Sequence, residues 1–232
     1  MKMEILPDAN AVARRAAEVI AAQAREAVAA RGQFLFAVSG GRTPWLMLRE
    51  LADEEVPWDK VQLFQVDERI APAGDPDRNL THLQESLLTR VPISPSQSHA
   101  MPVEESDSEA AAKAYAQTLE KLAGAPPVLD LVHLGLGPDG HTASLIPGDP
   151  VLNVMLADVA ITGVYQNRRR MTLTYPVLNR ARSLLWLVTG ADKAGPLVQL
   201  HAEDPGIPAG RVSQKSSLVL ADTAAASEFI NH

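Results

Sequence analysis

Apolar positions in this chain alternate between helical spacing and short continuous runs. Residues 8–31 are Ala-rich, with Val12, Ala16, Val19, Ile20 and Ala27 on one side, which predicts an amphipathic helix closed by Gly32. Residues 34–38 (FLFAV) are a compact apolar run of strand length. The turn Ser39-Gly40-Gly41-Arg42 follows, and then a helix start with Thr43 as N-cap and Pro44 as first helical residue, continuing over 45–53. A second strand is predicted over 61–66, ending in Asp67-Glu68-Arg69. The polar loop APAGDPDRN leads to a helix at 80–88, and Ser/Pro punctuation over 92–102 encloses a short strand. Ser106 begins a helix to about Ala123, and 129–134 is an apolar strand. Further on, strands at 159–164 and 171–174 flank a basic turn, before a short helix at 176–181. A buried strand at 183–189, a helix at 192–201, a strand at 218–221 and a terminal helix capped by Asp222 complete the reading.

Strands alternating with helices predict a sheet sandwiched between helical layers. No repeat, low-complexity tract or long linker interrupts the 232 residues, so a single domain over 1–232 is expected. If the strands are parallel, the loops after Val38, Val66 and Leu134 gather on one edge of the sheet, where ligands of such folds bind.

Composition narrows the choice of partners. Aromatic residues are only 4% and charge is net −7, from 21 basic and 28 acidic residues, so a nucleic-acid surface is not indicated. There is no cysteine, which excludes disulfides and thiol chemistry. No apolar run approaches a membrane span, and the first residues carry charges where a signal core would be apolar, so a soluble cytoplasmic protein is expected.

The most informative stretch is residues 131–148, LVHLGLGPDGHTASLIPG. An apolar run ends in Gly135, Gly137 and Gly140, with Asp139 and His141 set into the turn. An imidazole and a carboxylate two residues apart at a strand's end suit acid–base chemistry, although Asp139 would serve equally in an Asx-turn bonding its own backbone. By letter, residues 135–140 match the dinucleotide fingerprint G-x-G-x-x-G. That fingerprint needs a long following helix, and Pro147-Gly148 interrupts one too early. Ser39-Gly40-Gly41-Arg42-Thr43-Pro44, between strand and helix, offers backbone N–H groups and a helix N-terminus to a phosphate. It is not a P-loop, since the chain has no Gly-Lys pair. Arg69, Arg170 and Lys193 each fall near a strand end, and an acidic protein that binds an anion must concentrate positive charge somewhere. His82, His99, His133, His201 and His232 lack a comparable setting, and no paired metal-ligand spacing is present, so no metal and no cofactor are expected.

Taken together, these stretches resemble the 6-phosphogluconolactonases within the glucosamine-6-phosphate isomerase/6-phosphogluconolactonase superfamily. The matching segments are FAVSGGRTP (36–44), QVDERIAP (65–72), RNLTHL (78–83), DLVHLGLGPDGHTASLIPG (130–148), RMTLTYPVLNRAR (170–182), LVTGADKAGPL (187–197) and PAGRV (208–212). The resemblance implies a three-layer α/β/α fold around a modified Rossmann-type, mostly parallel sheet. It also implies hydrolysis of 6-phospho-D-glucono-1,5-lactone by a monomer or homodimer that needs no cofactor. By the same resemblance Ser39, Gly40 and Gly41 belong to the phosphate loop, and Arg69, Arg170 and Lys193 are its cationic partners. His141, with Asp139 beside it, is the general base, and Asp67 abuts the sugar ring. The deaminase branch of the superfamily carries a glutamate five residues beyond the histidine, where this chain has Ile146. That difference favours a lactonase over a deaminase/isomerase, while a non-catalytic sugar-phosphate sensor would bind without turnover.

Overall fold

The computed structural model describes residues 1–230. Seven strands form the main sheet in the order β1 (Lys2–Leu6), β10 (Ser217–Asp222), β9 (Ser183–Val188), β6 (Leu131–Gly135), β2 (Phe34–Val38), β3 (Val61–Gln65) and β5 (Ser98–His99). Every pairing in it is parallel. A small antiparallel sheet of β4 (Asp67–Arg69), β8 (Arg170–Leu173) and β7 (Val159–Ile161) stands beside it.

Both faces of the main sheet are covered, which is why its central strands read as unbroken apolar runs. On one face, Phe34, Phe36 and Leu63 pack with Val12, Ala16 and Ile20 of α1 (Ala9–Arg31) and Met47 and Leu48 of α2 (Arg42–Leu51). On the other, Leu35, Ala37, Val132 and Trp186 pack with Tyr115 and Leu119 of α4 (Ser108–Ala123). Leu178 of α5 (Tyr175–Arg180) and Leu197 of α6 (Ala194–His201) join them. Phe34, Phe36 and Leu63 are each at most 1% exposed, and burying such a side chain contributes about 1.5–3 kcal/mol.

Chain order places the crevice. From β2 the chain passes through α2 to β3 and on to β5, and it then returns through α4 to β6 on the opposite side of β2. The carboxyl ends of β2 and β6 therefore flank the point where strand order reverses, the usual ligand position of such sheets.

Several boundaries differ from the sequence reading, each for a physical reason. β1 went unrecognised because it is an edge strand paired only to β10, half exposed and carrying Lys2 and Glu4. Gly41, not Thr43, is the N-cap of α2; the Thr43 hydroxyl instead meets that of Thr189 at 2.7 Å. α4 begins at Ser108 and not at Ser106, with Asp107 as its N-cap accepting from the N–H groups of Glu109 and Ala110. The helix expected at 80–88 is α3 (Asn79–Leu83) followed by a π-turn at Gln84–Leu88. The helix expected at 192–201 opens as a 3₁₀ turn, Ala191–Lys193, before α6. Asp222 ends β10 and does not cap α7 (Ser227–Ile230); its carboxylate accepts from the N–H groups of Gly190 and Ala225.

Candidate active site

A cleft of about 490 Å³ opens at the carboxyl ends of β2, β6 and β9. Ser39, Gly40, Gly41, Arg42, Asp67, Arg69, His141, Arg170 and Lys193 all line it, and Asp139 stands immediately behind His141. The loops after β2, β6 and β9 are far apart in sequence and meet through parallel pairing, while Asp67, Arg69 and Arg170 come from β4 and β8 of the small antiparallel sheet.

The loop after β2 presents unused donors. Among the described residues, no protein acceptor takes the N–H groups of Gly40, Gly41, Arg42 or Thr43, at the start of α2. The Ser39 hydroxyl is buried and unpartnered, while its N–H donates to Nδ1 of His133 at 3.2 Å. Burial pushes the His133 imidazole down to about 3, so that ring is neutral and its Nδ1 is free to accept. Unpaired donors at a helix start suit an anion.

Asp67 and Arg69 enter from β4. Asn79 bridges them, donating from Nδ2 to the Asp67 carbonyl at 2.9 Å and accepting from Arg69 Nη1 at 2.6 Å. Only a glycine fits at position 40 beside this bridge, because a Cβ there would lie 1.9 Å from Asn79 Oδ1. Asn79 is in turn fixed by Glu68, which is fully buried. Its carboxylate accepts from the N–H groups of Arg69, Asn79 and Leu80 at 2.7–2.8 Å and from Gln65 Nε2 at 2.9 Å. The Asp67 carboxylate accepts from the Ser144 hydroxyl at 2.7 Å.

The cationic side chains are not fully spent on the protein. Nε of Arg69 and Nε of Arg170 are both buried without a partner. Arg170 is 4% exposed, and burial lowers its pKa against the opposing pull of Asp67. Unpaired buried donors are costly, and an anion would satisfy them with strong charge-assisted bonds. Lys193 Nζ rests on Asp192 at 2.8 Å. Arg169 is not among the residues lining the cleft, and its Nε donates to the Thr162 carbonyl at 3.2 Å.

His141 sits in a turn closed by Gly137 N–H donating to the His141 carbonyl at 2.8 Å. Its Nδ1 lies 2.5 Å from Asp139 Oδ1, which also accepts the His141 backbone N–H at 3.2 Å. The Asx-turn and the carboxylate–imidazole pair are thus one arrangement. Nε2 has no partner among the described residues. Gly137 lies directly under the pair: a Cβ there would come within 2.1 Å of Nδ1 and 2.7 Å of Asp139 Oδ1. Burial works against the charged Asp139, yet the charge of His141 and hydrogen bonds from His141 and Tyr165 outweigh it and hold the carboxyl below its ordinary range. Burial and the adjacent Asp139 charge push the Tyr165 phenol up, so it remains a donor.

Sequence reasoning missed Glu68, Asn79 and Tyr165. The first two lay inside stretches already marked, and a buried carboxylate beside a strand end was their only signal. Of the remaining histidines, His82 stacks on Trp45 at the mouth of a neighbouring cleft, His99 and His201 pack against Phe64 and Phe229, and His232 lies outside the described residues. Among the described residues no cluster of His, Cys, Asp or Glu is gathered as a metal site requires. Nor is any helix among them long and apolar enough to cross a membrane.

A family model described as glucosamine-6-phosphate isomerases/6-phosphogluconolactonase matches residues 7–221. The chain belongs to this family. A 6-phosphogluconolactonase of a Nostoc species is 35% identical, with 98% of each chain covered. That of Mycobacterium tuberculosis is 37% identical, also with 98% of each covered. Among solved structures, a 6-phosphogluconolactonase from Thermotoga maritima matches with a TM-score of 0.83 at 26% identity, covering 95% of this chain and 98% of its own. A monomeric glucosamine-6-phosphate deaminase has a TM-score of 0.86 at 19% identity, covering 98% of this chain and 99% of its own. The fold is therefore common to both branches, and the choice between them rests on side chains.

Proposed function

We propose that this enzyme hydrolyses 6-phospho-D-glucono-1,5-lactone to 6-phosphogluconate, with His141 as the general base. The observation that carries this reading is an imidazole with Nδ1 held on a carboxylate and Nε2 free, in a cleft whose cationic donors lack partners. Asp139 accepts a hydrogen bond from Nδ1–H, which leaves the Nε2 lone pair available. Nε2 takes a proton from water as the water oxygen bonds to C1 of the lactone. The tetrahedral oxyanion then collapses, the bond from C1 to the ring oxygen breaks, and the imidazolium returns its proton to that oxygen. One residue thus serves as base and then acid.

The phosphate fits the other end of the cleft. The free N–H groups of residues 40–43, the Ser39 hydroxyl and the side chains of Arg42, Arg69, Arg170 and Lys193 supply donors there. Contacts so far from C1 chiefly position the ring over His141. A deaminase would require a carboxylate where Ile146 stands, and that side chain is apolar and 5% exposed. The relatives at 35–37% identity are themselves named as lactonases.

Freshly generated 6-phosphogluconolactone, assayed against a no-enzyme blank, tests the proposal. Wild type should accelerate hydrolysis, and His141→Asn should lower kcat by about 10²–10⁴-fold, the range of acid–base catalysis. Undiminished turnover by the variant would remove His141 from the scheme. Ligand binding with no turnover by wild type would point to a sensor, and ammonia release from glucosamine 6-phosphate to the deaminase.

A further inference from the structure

The hairpin joining β7 to β8 carries a residue that the scheme above does not use. Tyr165 and Arg168 close a two-residue turn, with Tyr165 N–H donating to the Arg168 carbonyl at 2.9 Å and Arg168 N–H to the Tyr165 carbonyl at 3.2 Å. The central residues, Gln166 and Asn167, take φ of 50° and 66°, the left-handed pair that such tight hairpins need. Arg168 anchors the tip by ion pairs to Asp75 at 2.9 Å and Asp77 at 3.0 Å. The hairpin is thereby tied to the loop that leads into Asn79.

On its inner side the hairpin brings Tyr165 to the acid–base pair. The phenol donates to Asp139 Oδ2 at 3.1 Å, the oxygen that His141 leaves free. The Tyr165 ring meets the imidazole edge-on, centroids 5.6 Å apart at 65°. The Arg170 guanidinium lies over the same ring, 5.0 Å from its centroid, and donates from Nη2 to Gln166 at 3.1 Å. One side chain thus touches the base, the carboxylate behind it and a cation of the anion-binding end.

We propose that Tyr165 is the positioning residue of the His141–Asp139 pair. The Asp139 side chain is 36% exposed, so a carboxylate anchored through one oxygen alone would turn between imidazole and water. The phenol holds Oδ2 and keeps Oδ1 on Nδ1, fixing the tautomer whose Nε2 can accept a proton. The ring meanwhile supports Arg170 by a cation–π contact. This rests on the reading of His141 as general base. The charged groups that share the cleft with the imidazole are Arg42, Asp67, Arg69, Arg170 and Lys193, with Asp139 behind it. Of these, Asp139 alone bonds the imidazole.

Two variants separate the hydroxyl from the ring. Tyr165→Phe keeps the edge contact and the support of Arg170, so kcat should fall about three- to thirty-fold with KM changed less than about twofold. Tyr165→Leu removes both, so KM should rise as well. A readout without substrate comes from ¹⁵N NMR of histidine-labelled protein at a pH where the ring is neutral, with His141→Asn assigning the signal. Wild type should show His141 as a single Nδ1–H tautomer, and Tyr165→Phe a mixture of the two. A purely structural role would lower the folded fraction and leave the tautomer of the folded protein unaltered. An unchanged tautomer ratio in Tyr165→Phe overturns the proposal, whatever the activity. Wild type that shows the single tautomer but no lactone turnover would instead sink the functional reading and leave the positioning role standing.

Discussion

Gly137→Ala separates chemistry from folding more sharply than removal of the base itself. Gly137 does not have a positive φ, so alanine is not excluded by its backbone conformation. The obstacle is contact: the new Cβ would stand 2.1 Å from His141 Nδ1, 2.3 Å from its Cε1 and 2.7 Å from Asp139 Oδ1. Ordinary van der Waals contact begins near 3.4 Å, so the imidazole must retreat by more than 1 Å. It can do so cheaply, because the His141 side chain is 21% exposed and its turn faces the cleft. The fold should survive, but the Nδ1–Oδ1 bond should not, and Nε2 should leave its place over the lactone. A displacement of about 1 Å in a reacting group costs about 10²-fold, or about 2.7 kcal/mol in the barrier. The assay is initial-rate hydrolysis of fresh lactone above the spontaneous rate, with a thermal melt on the same sample. Gly195→Ala is the matched control, since a Cβ there meets nothing within 4 Å and the site is the second residue of α6. It should keep full activity and gain a little stability. Wild-type kcat in folded Gly137→Ala would refute the claim that the geometry at His141 limits the rate.

Two further measurements probe the anion-binding end and the core beneath it. Lys193→Met should raise KM about tenfold with a smaller effect on kcat, because a phosphate contact remote from C1 serves ground and transition states alike; an unchanged KM would place the phosphate elsewhere. His133 predicts acid sensitivity. Its ring titrates about 3 when folded against 6.5 ordinarily, so between those values the unfolded chain binds a proton the native one refuses. Its contribution is intact above about 6.5 and lost as pH falls, by on the order of 3 kcal/mol at pH 4.5. Urea midpoints at pH 7 and 4.5 should therefore diverge less in His133→Gln than in wild type, and equal divergence would mean that another group carries the loss.

What the sequence disclosed follows from how local each signal is. The central strands β2, β6 and β9 announce themselves as nearly unbroken apolar runs because both their faces are buried, with His133 the buried exception. The long helices α1 and α4 do so through the spacing of their one buried face. The same logic explains the site residues that were legible. Glycine turns at the ends of buried strands are rare enough to notice, and they lead directly to Ser39, Gly40, Gly41 and His141. β1 was illegible because a half-exposed edge strand tolerates Lys2 and Glu4. The cap of α2 was misplaced for a different reason: Thr43 looks like an N-cap by type, but its hydroxyl is claimed by Thr189, 146 residues away. Tyr165 and Asn79 act through partners 26 and 12 residues distant, contacts that no local pattern encodes.

The same long-range bonds explain how a protein of net charge −7 holds four cationic side chains around one cleft. Left alone, Arg69 and Arg170 would repel each other, and burial penalises the Arg170 charge. Glu68 does not bond their guanidinium groups; its carboxylate pairs with Arg78 at 3.2 Å and accepts from Gln65 and the N–H groups of Arg69, Asn79 and Leu80. It so fixes Asn79, which grips Arg69 and the Asp67 carbonyl together. Asp67, on the paired strand β4, offsets the Arg170 charge, and the Tyr165 ring lies against its guanidinium. The protein thus orients the guanidinium groups while leaving part of their hydrogen-bonding capacity, the two Nε donors, unsatisfied. That residual demand is what a dianionic phosphate would meet, and because the structure already carries the cost of orienting the donors, little ordering is left for the ligand to impose. On the proposed scheme, binding energy gained at that end would be spent on holding the lactone carbon where His141 Nε2 can deprotonate the attacking water.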